Sequence, residues 1–526
     1  MQIIFENVTM YDGTGKNPGK LCDVGVDGER IAAIGDLKAA EAEKRIDCTG
    51  LSMFPGMIDV HTHSDLAMFN DSHRDMAVSQ GITTEIVSAC GIGLVPMKPE
   101  LQKEYVKLME ALTGPIPENG RFESVDAYFE TMPKTGVNVA MQLAHSPLRA
   151  AAAGSMKDTP LTDDMWKIME KLEREAFEQG AVSISTGMSY FPATFCETSE
   201  LVKMCKVAKD YDAPLSVHQR STLRKPDPTF NSVEEVLTVA RESGAKLVYS
   251  HYRTGPWNPG LHEAVCEPIE RGHREGLQIF ADFYPYDYGC SYAPMTFPIY
   301  AMDGGYDGLM GLLNDPVRHE ALAREMESQT LGRLNGVFIH CPKHPELLGR
   351  SYQDVAKEYG TSPERLILRI LQEEDLKVAN IGGTGTPKEV MDTLDEDFAY
   401  YLTKDYYAVG SDTIPCHELP HPRCYGAFAR IFEIARKHNV PLEIVANRTS
   451  GNGAELYKLK DRGIIKVGNF ADLMIFDADT IASRATFENP RQFATGVKYV
   501  TVNGKFAMED GKLTGVTAGR ALRRGV

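Results

Sequence analysis

The sequence predicts an α/β fold: a TIM-like (β/α)8 barrel, a small β-sandwich domain formed by both chain termini, and an insertion over the barrel mouth. Two observations carry this prediction. Short strand-like runs separated by turns occupy both ends of the 526-residue chain, and eight apolar runs alternate with amphipathic segments between them. Alternating strands and helices form parallel β/α units, and a closed barrel is the most economical arrangement of eight such units.

The two ends of the chain share a pattern of short strands and tight turns. Residues 1–53 contain the hairpin dipeptide Asp27-Gly28, and residues 461–526 contain Asn503-Gly504. We expect the two ends to form one small β domain, with the barrel built from residues 54–460.

Eight apolar runs in the middle of the chain are the candidate barrel strands. Amphipathic segments such as 165–180 and 233–244 lie between them and are typical of surface helices. A segment at about 290–375 fits no single β/α unit, because it is first rich in Met, Pro, Gly and Tyr and then helical; we interpret it as an insertion over the mouth. The eight runs are MIDVHTH (57–63), TTEIVSACG (83–91), NVAMQLAHS (138–146), AVSISTGMS (181–189), PLSVHQRS (214–221), KLVYSHYR (246–253), QIFADFYP (278–285) and YAVGSD (407–412).

The composition limits the kinds of partner. Hydrophobic residues make up 43% of the chain, enough for a sizeable core, and the net charge of −17 argues against nucleic acid or an anionic membrane as the main partner. No apolar stretch approaches about 18 residues, and the N-terminal residues do not resemble a signal peptide. Ten cysteines without a Cys-x-x-Cys pair are typical of a reduced compartment, so we expect a cytoplasmic monomer or homo-oligomer.

Two histidines follow the first apolar run, Phe54–Val60, which we interpret as a short buried strand entered through the Pro55-Gly56 turn. Residues i and i+2 of a strand point to the same face, so His61 and His63 would project together from its end. Neutral imidazole is the commonest metal ligand. On its own, the pair fits two surface histidines without a function as well as it fits two metal ligands.

Polar side chains end the other runs as well. The C-terminal ends of barrel strands meet at one mouth, where all of these side chains would gather. Five histidines, a cysteine and an aspartate at matching strand ends are a specific signal. In chain order the strand-end residues are His61, His63, Cys90, His145, His218, Arg220, His251, Arg253, Tyr284 and Asp412.

These residue types have a coherent chemistry. Imidazole and thiolate are good zinc ligands, and a catalytic zinc keeps one position open for water. Bound water loses a proton near neutral pH. A carboxylate beside it can take that proton and later deliver it to a leaving group, a role that suits Asp412 by type and place.

Longer stretches around these residues carry a family resemblance. The chain resembles the amidohydrolase superfamily and, within it, the N-acyl-D-amino-acid deacylase (D-aminoacylase) family. His-x-His and Gly-Ser-Asp occur widely in the superfamily, whereas Cys-Gly-Ile at 90–92 and His-Pro-Arg-x-Tyr-Gly at 421–426 point to the deacylases. The matching stretches are PGMIDVHTHSD, SQGITTEIVSACGIGLVP, AHSPLRAAAAG, GAVSISTGMSYFP, TSELV, LSVHQRS, VYSHYRTG, FADFYPYD, VGSD, HPRCYGAFARIF and IKVGNFADLMIFD.

The resemblance implies two zinc sites, one tight and one weaker, with Asp412 as the general acid/base. Many two-metal relatives bridge their ions with a carboxylated lysine. The runs 138–146 and 181–189 contain no lysine, so the Cys90 thiolate would supply the bridging anion. The implied ligands are Cys90, His218 and His251 for the tight site, and His61, His63 and Asp412, with Cys90 bridging, for the weaker one.

The resemblance also implies a small-molecule substrate with a free carboxylate beside the scissile amide, attacked by metal-activated hydroxide. Arginine binds carboxylates through a planar fork. Arg253, Arg423 and Tyr284 fall in stretches that match the family's carboxylate-binding positions, although the family usually has lysine at 253. Members specific for acidic side chains carry an extra arginine after the YPY motif, which residues 284–300 lack, so we expect neutral or apolar side chains.

Several alternatives stay open. The substrate class could instead be cyclic amides, as in hydantoinase or dihydroorotase-like relatives, and the barrel could be a non-catalytic scaffold. His145 fits either a structural histidine or a donor to the substrate oxyanion. Arg423 and Tyr284 fit either substrate binding or loop anchoring, and Arg220 favours a structural salt bridge. The stretch WNPG at 257–260 departs from the family pattern and receives no role.

Overall fold

The computed structural model describes residues 1–69, 73–220, 230–330 and 334–525. It confirms the predicted fold: an eight-stranded parallel barrel and a separate sheet made by both chain termini. Ser221, the last residue of the fifth predicted run, and residues 331–333 of the insertion lie outside the described residues.

The strands follow the order that the sequence predicts. All seven residues of the third barrel strand are buried, as is typical of a parallel sheet covered on both faces. In the described residues the strands are β1 (Ile3–Met10), β2 (Lys20–Asp27), β3 (Arg30–Gly35), β4 (Lys44–Asp47), β5 (Ser52–Pro55), β6 (Met57–Asp59), β7 (Ile82–Val87), β8 (Asn138–Ala144), β9 (Ser183–Gly187), β10 (Leu215–His218), β11 (Leu247–Tyr249), β12 (Ile279–Phe283), β13 (Cys290–Tyr292), β14 (Val337–His340), β15 (Ala379–Ile381), β16 (Tyr407–Val409), β17 (Leu473–Phe476), β18 (Val497–Val502), β19 (Lys505–Glu509) and β20 (Lys512–Leu513).

The helices between the strands begin and end at residues suited to helix termini. Asn231, for example, caps the seventh helix by accepting hydrogen bonds from the backbone N–H groups of Val233 and Glu234, and Gly244 ends it in the left-handed conformation. Over the described ranges the α-helices are α1 (His73–Val78), α2 (Pro99–Thr113), α3 (Val125–Thr131), α4 (His145–Ala153), α5 (Asp163–Glu178), α6 (Thr198–Asp210), α7 (Ser232–Ser243), α8 (His262–Arg274), α9 (Gly305–Asn314), α10 (Pro316–Thr330), α11 (Tyr352–Glu358), α12 (Pro363–Glu373), α13 (Lys388–Thr403), α14 (Arg423–His438), α15 (Leu442–Ala446) and α16 (Asn452–Leu456). None of the helices in these ranges combines the length and apolar character that crossing a membrane requires.

The barrel sheet runs in sequence order from β6 through β7, β8, β9, β10, β11 and β12 to β16. Backbone contacts just beyond β6 and β16 close the ring. Thr62 and Thr413 form a parallel bridge, and the N–H of Asp412 donates to the carbonyl of His61 at 2.8 Å. The first and last strand ends, which carry candidate ligands, are therefore joined directly.

The chain changes sheets at Gly56, within the predicted Pro55-Gly56 turn, so Phe54 and Pro55 belong to the terminal sheet and not to the barrel strand. β5 pairs antiparallel with β17 in the terminal sheet, whereas β6 pairs parallel with β7 in the barrel. The run is continuously apolar because it is buried in both places, and an apolar run alone does not show where the chain changes partners.

The terminal sheet has nine strands, drawn from both ends of the chain. It curls on itself around its own core: the ring of Phe5 on β1 lies 6.3 Å from that of Tyr499 and 6.1 Å from that of Phe506, although β18 and β19 are not its neighbours in the sheet. Its other side packs on the barrel through Phe54, whose ring centre lies 5.5 Å from that of Phe432 on α14. The two domains thus share a continuous apolar contact.

The insertion contains helices α9 to α12 and a small antiparallel sheet in the order β13, β15, β14. β13 lies at the barrel mouth. The ring of Tyr292 is 6.0 Å from that of Tyr190, and the Tyr190 ring lies 4.8 Å from the imidazole of His218. The insertion therefore covers the end of the barrel at which the candidate ligands gather.

Candidate metal centre

Cys90, His218 and His251 bring three donor atoms together at the barrel mouth. The Cys90 sulfur lies 3.7 Å from Nδ1 of His218 and 3.5 Å from Nε2 of His251, and these two nitrogens are 2.8 Å apart. The residues come from the ends of β7, β10 and β11, as the strand-end pattern predicts. The spacing suits three ligands of one tetrahedral metal ion.

His61, His63 and Asp412 form a second group. Asp412 Oδ1 lies 3.5 Å from Nε2 of His61 and 3.1 Å from Nε2 of His63. Nε2 of His61 is also 3.3 Å from the Cys90 sulfur, so His61 joins the two groups. Both His61, Cys90, His251 and His61, His63, Asp412 have donor atoms within 4.8 Å of one another.

Three of these residues have left-handed backbone conformations that residues other than glycine seldom adopt. The φ angles of Cys90, His251 and Asp412 are 51°, 40° and 53°. Such conformations cost on the order of 1–3 kcal/mol each and persist only where the surroundings fix them. At Cys90 the chain packs so closely that a Cβ on Gly187 would lie 2.2 Å from the Cys90 carbonyl oxygen.

Asp282 on β12 is a site residue that the sequence interpretation missed. Its carboxylate contacts Nδ1 of His61 at 3.1 Å and accepts a hydrogen bond from the backbone N–H of His251 at 2.7 Å. A carboxylate behind a histidine fixes the orientation of the ring, as in many metal sites. The sequence contains one indication of this role, because Asp282 is the only charged residue in the apolar run 278–285.

The protonation states of the first group fit a metal ion. Burial lowers the pKa of His218 well below its ordinary range and that of His251 to about 4, so both rings are neutral and present lone pairs. Burial raises the pKa of the Cys90 thiol to about 11. Thiolate ligation to a cation would release that proton, and neutral imidazoles with one thiolate are a donor set typical of zinc.

Asp412 is held in its ionised form by Arg423. Burial alone would raise the pKa of Asp412, but the Arg423 guanidinium and the neighbouring histidines outweigh burial and lower it well below its usual range. Nη1 of Arg423 lies 2.8 Å from Asp412 Oδ2, and both residues are buried. The buried guanidinium thus compensates the buried carboxylate.

Arg253 and Arg423 both contact the ring of Tyr284. The guanidinium carbon of Arg253 is 4.3 Å from the centre of the Tyr284 ring, and that of Arg423 is 4.6 Å from it. Arg253 also donates to the carbonyl of Asp287 at 3.1 Å. Tyr284 is therefore contacted by both arginines, one of which pairs with Asp412.

Two roles were open for His145, a structural histidine or a donor to the substrate oxyanion, and the structure favours the structural role. Its Nδ1 lies 2.8 Å from Thr186 Oγ1 and its Nε2 2.8 Å from a carboxylate oxygen of Glu200, so neither nitrogen faces a substrate. Arg220 forms the expected salt bridge, 3.2 Å from Glu235.

Barrel, insertion and donor groups define a class: a barrel hydrolase of the amidohydrolase type. The model of the Amidohydrolase family matches residues 44–221 and 403–508.

Individual relatives match over nearly the whole chain. D-aminoacylase of Alcaligenes xylosoxydans xylosoxydans is 31% identical over 98% of this chain and 96% of its own length. N-acyl-D-glutamate deacylase of the same organism is 31% identical over 96% and 93%. The solved structure of N-acyl-D-glutamate deacylase from Bordetella bronchiseptica, complexed with zinc and a phosphonate inhibitor, superposes with a TM-score of 0.79 at 28% identity over 99% of each chain. D-hydantoinase of Rhizobium radiobacter matches only 17% of this chain and 20% of its own length, at 38% identity.

The chain belongs to the amidohydrolase family, in its group of N-acyl-D-amino-acid deacylases.

Replacing Cys90 tests the shared donor. We expect Cys90→Ala to lower the metal content of protein loaded with one equivalent of zinc by at least about tenfold under dialysis, because the first group loses its only anionic donor. Metal content is measured by mass spectrometry after dialysis. Cys22→Ala, at a buried cysteine of the terminal sheet, should retain the wild-type content; equal retention by both variants would show that Cys90 is not a ligand.

Proposed function

We propose that the protein is a zinc-dependent amide hydrolase that deacylates N-acyl-D-amino acids with neutral or apolar side chains. The observation that carries this proposal is the arrangement of two donor groups, joined by the contact between His61 and Cys90, with Asp412 in the second group paired to Arg423. The family membership supports the reaction class, since the relatives named above are deacylases of D-amino-acid derivatives.

Both donor groups would hold metal. The first, Cys90, His218 and His251, supplies two neutral imidazoles and a thiol, and would bind one zinc tightly. The second, His61, His63 and Asp412, would bind another more weakly, with Cys90 shared between them. Zinc bound there would act as a Lewis acid toward the substrate carbonyl and toward water.

Asp412 would move the proton. It is ionised in the resting site because Arg423 and the histidines stabilise its charge, so it accepts a proton from the attacking water. As the carbon–nitrogen bond breaks, the same proton passes to the departing amine nitrogen. The products are a carboxylate and a free amino acid, and Asp412 returns to its ionised form.

The arginines and Tyr284 would bind the free carboxylate of the substrate. Arg423 already pairs with Asp412, so its guanidinium serves the catalytic carboxylate as well as the substrate. Arg253 donates to backbone carbonyls and stacks on Tyr284, and within the described residues its guanidinium forms no salt bridge with a carboxylate. Arg253 is therefore the principal candidate for recognising the carboxylate.

The proposed side-chain preference rests on the residues that come after Tyr284. Residues 285–300 contain no arginine or lysine, and Cys290 on β13 faces Arg423, with 3.3 Å between its sulfur and Nη2. A thiol is only a weak hydrogen-bond donor and carries no positive charge to pair with a second carboxylate. Cyclic amides remain the second candidate substrate class; the short hydantoinase match and the missing bridging lysine count against them.

The first experiment is hydrolysis of N-acetyl-D- and N-acetyl-L-amino acids by zinc-loaded protein, with amine release as the readout. We expect D-derivatives of leucine, methionine and phenylalanine to be hydrolysed, and a chelator to abolish the reaction, because the carbonyl then lacks its Lewis acid. Re-adding zinc should restore it. Hydrolysis of hydantoins but of no acyl amino acid would instead establish the cyclic-amide alternative.

Asp412→Asn tests the proton transfer. We expect kcat to fall by about 10²–10⁴-fold, because asparagine cannot accept the proton. Asp405→Asn, at an exposed position before the same strand β16, is the matched control and should change kcat less than about twofold. Near-normal turnover by Asp412→Asn would rule out its role as acid/base.

Arg253→Ala tests carboxylate recognition. We expect KM for an N-acetyl-D-amino acid to rise by about tenfold or more, but KM for its carboxamide analogue to change much less, because only the acid loses an ionic contact. Arg253→Lys should recover part of the difference. Equal effects on acid and amide would show that Arg253 does not bind the carboxylate.

A further inference from the structure

Trp257 is a large apolar side chain that neither the fold nor the proposed chemistry explains. It lies in the segment that joins β11 to α8, six residues after His251, and its exposed fraction is 69%. It is one of only two tryptophans in the chain. Single exposed apolar residues need no explanation by themselves, but this one lines the cavity that contains candidate metal ligands.

The indole ring is held in place by its own loop. It packs on Gly255 so closely that a Cβ there would lie 2.4 Å from the ring. The N–H of Gly255 donates to Asn258 Oδ1 at 2.7 Å, and the N–H of Gly260 donates to a carboxylate oxygen of Asp397 on α13 at 2.9 Å. The ring is thus a positioned surface that needs little further ordering when a ligand binds.

Trp257 shares one cavity with the reaction site. This cavity has a volume of about 340 Å³, and its lining includes His218, His251, Arg253 and Trp257. The candidate ligands mark where the scissile carbonyl would sit, and Arg253 marks the proposed place of the free carboxylate. Trp257 follows Arg253 by four residues in the same segment and lines the same cavity, so we place the ring on the carboxylate side of the scissile bond.

The covalent structure of the substrate then identifies the group that reaches the ring. The carboxylate and the side chain are both attached to Cα, on the amine side of the scissile bond. The acyl chain extends from the carbonyl carbon, on the opposite side. With the carboxylate at Arg253, the group beside Trp257 is the amino-acid side chain.

We propose that Trp257 is a specificity-determining residue that packs against the substrate's amino-acid side chain and favours aromatic and large aliphatic ones. This inference rests on the proposed deacylase function and names the group that selects among its substrates. Indole offers a rigid apolar face, and aromatic pairs gain from stacking beyond the area that they bury.

Relative specificity provides the first test. We expect Trp257→Ala to lower the ratio of kcat/KM for N-acetyl-D-phenylalanine to that for N-acetyl-D-alanine by about tenfold or more, mainly through KM, because the larger side chain loses its apolar contact. Trp257→Phe should preserve most of the ratio. Trp166→Ala, on α5 where the ring contacts Lys203, is the matched control and should leave the ratio unchanged.

An acyl series determines which half of the substrate the ring contacts. N-acetyl- and N-hexanoyl-D-alanine are compared in the same variants. We expect their kcat/KM ratio to be unchanged in Trp257→Ala; a change here, with the phenylalanine-to-alanine ratio intact, would place the acyl chain beside Trp257 and overturn the proposal.

A binding measurement separates this inference from the proposed function, because it needs no turnover. In Trp166→Phe, Trp257 is the only tryptophan, so its fluorescence reports the site directly. Zinc-loaded Trp166→Phe is titrated with D-phenylalanine, D-alanine and acetate. We expect a saturable emission change with D-phenylalanine that is larger than with D-alanine, and none with acetate.

The outcomes distinguish the two claims. If wild-type protein hydrolyses no N-acyl-D-amino acid, the proposed function is wrong, and the inference with it. If it hydrolyses them but neither the specificity ratio nor the fluorescence depends on Trp257 as expected, only the inference is wrong.

Discussion

The closure of the barrel between β6 and β16 is the constraint on which the site depends. Besides the bridge between Thr62 and Thr413, the carboxylate of Asp59 accepts hydrogen bonds from the N–H of His61 at 3.2 Å and of Ser411 at 2.8 Å. One buried side chain thus holds both strand ends, although Asp59 and Ser411 are 352 residues apart in the chain. Without this contact, His61 and Asp412 would belong to two separate edges of an open sheet.

Periodicity was sufficient for the fold, and the strand ends indicated which polar residues would gather at the mouth. Their division into two donor groups came from the family resemblance. Strand order needs only the rule that successive β/α units are neighbours. The sequence predicts the Pro55-Gly56 turn but not the change of sheet there, since strands buried in either sheet are equally apolar. The hydrogen-bond partners of side chains could not be predicted either. Whether the His145 ring faces a substrate or Glu200 depends on the orientation of its side chain, which residue spacing does not determine.

Arg423 shows how substrate binding and catalysis can be coupled by one buried charge. Burying a carboxylate and a guanidinium is costly unless each compensates the other. Here the guanidinium contacts Asp412, stacks on Tyr284 and approaches Cys290, so its position is fixed before a substrate arrives. A negative charge bound near Arg423 would share the positive charge of the guanidinium with Asp412. In the proposed reaction, carboxylate recognition and proton transfer would therefore depend on each other through Arg423.

The terminal sheet has a consequence for the order in which the protein can be made. β5 leaves the ribosome before every barrel strand, yet its antiparallel partner β17 is among the last strands translated. At about 5–20 residues per second, roughly 20–80 s separate the two during synthesis. Through that interval one edge of β5 has no partner strand, and such edges promote wrong association between chains. The nascent chain thus carries an unpaired strand edge for most of its synthesis.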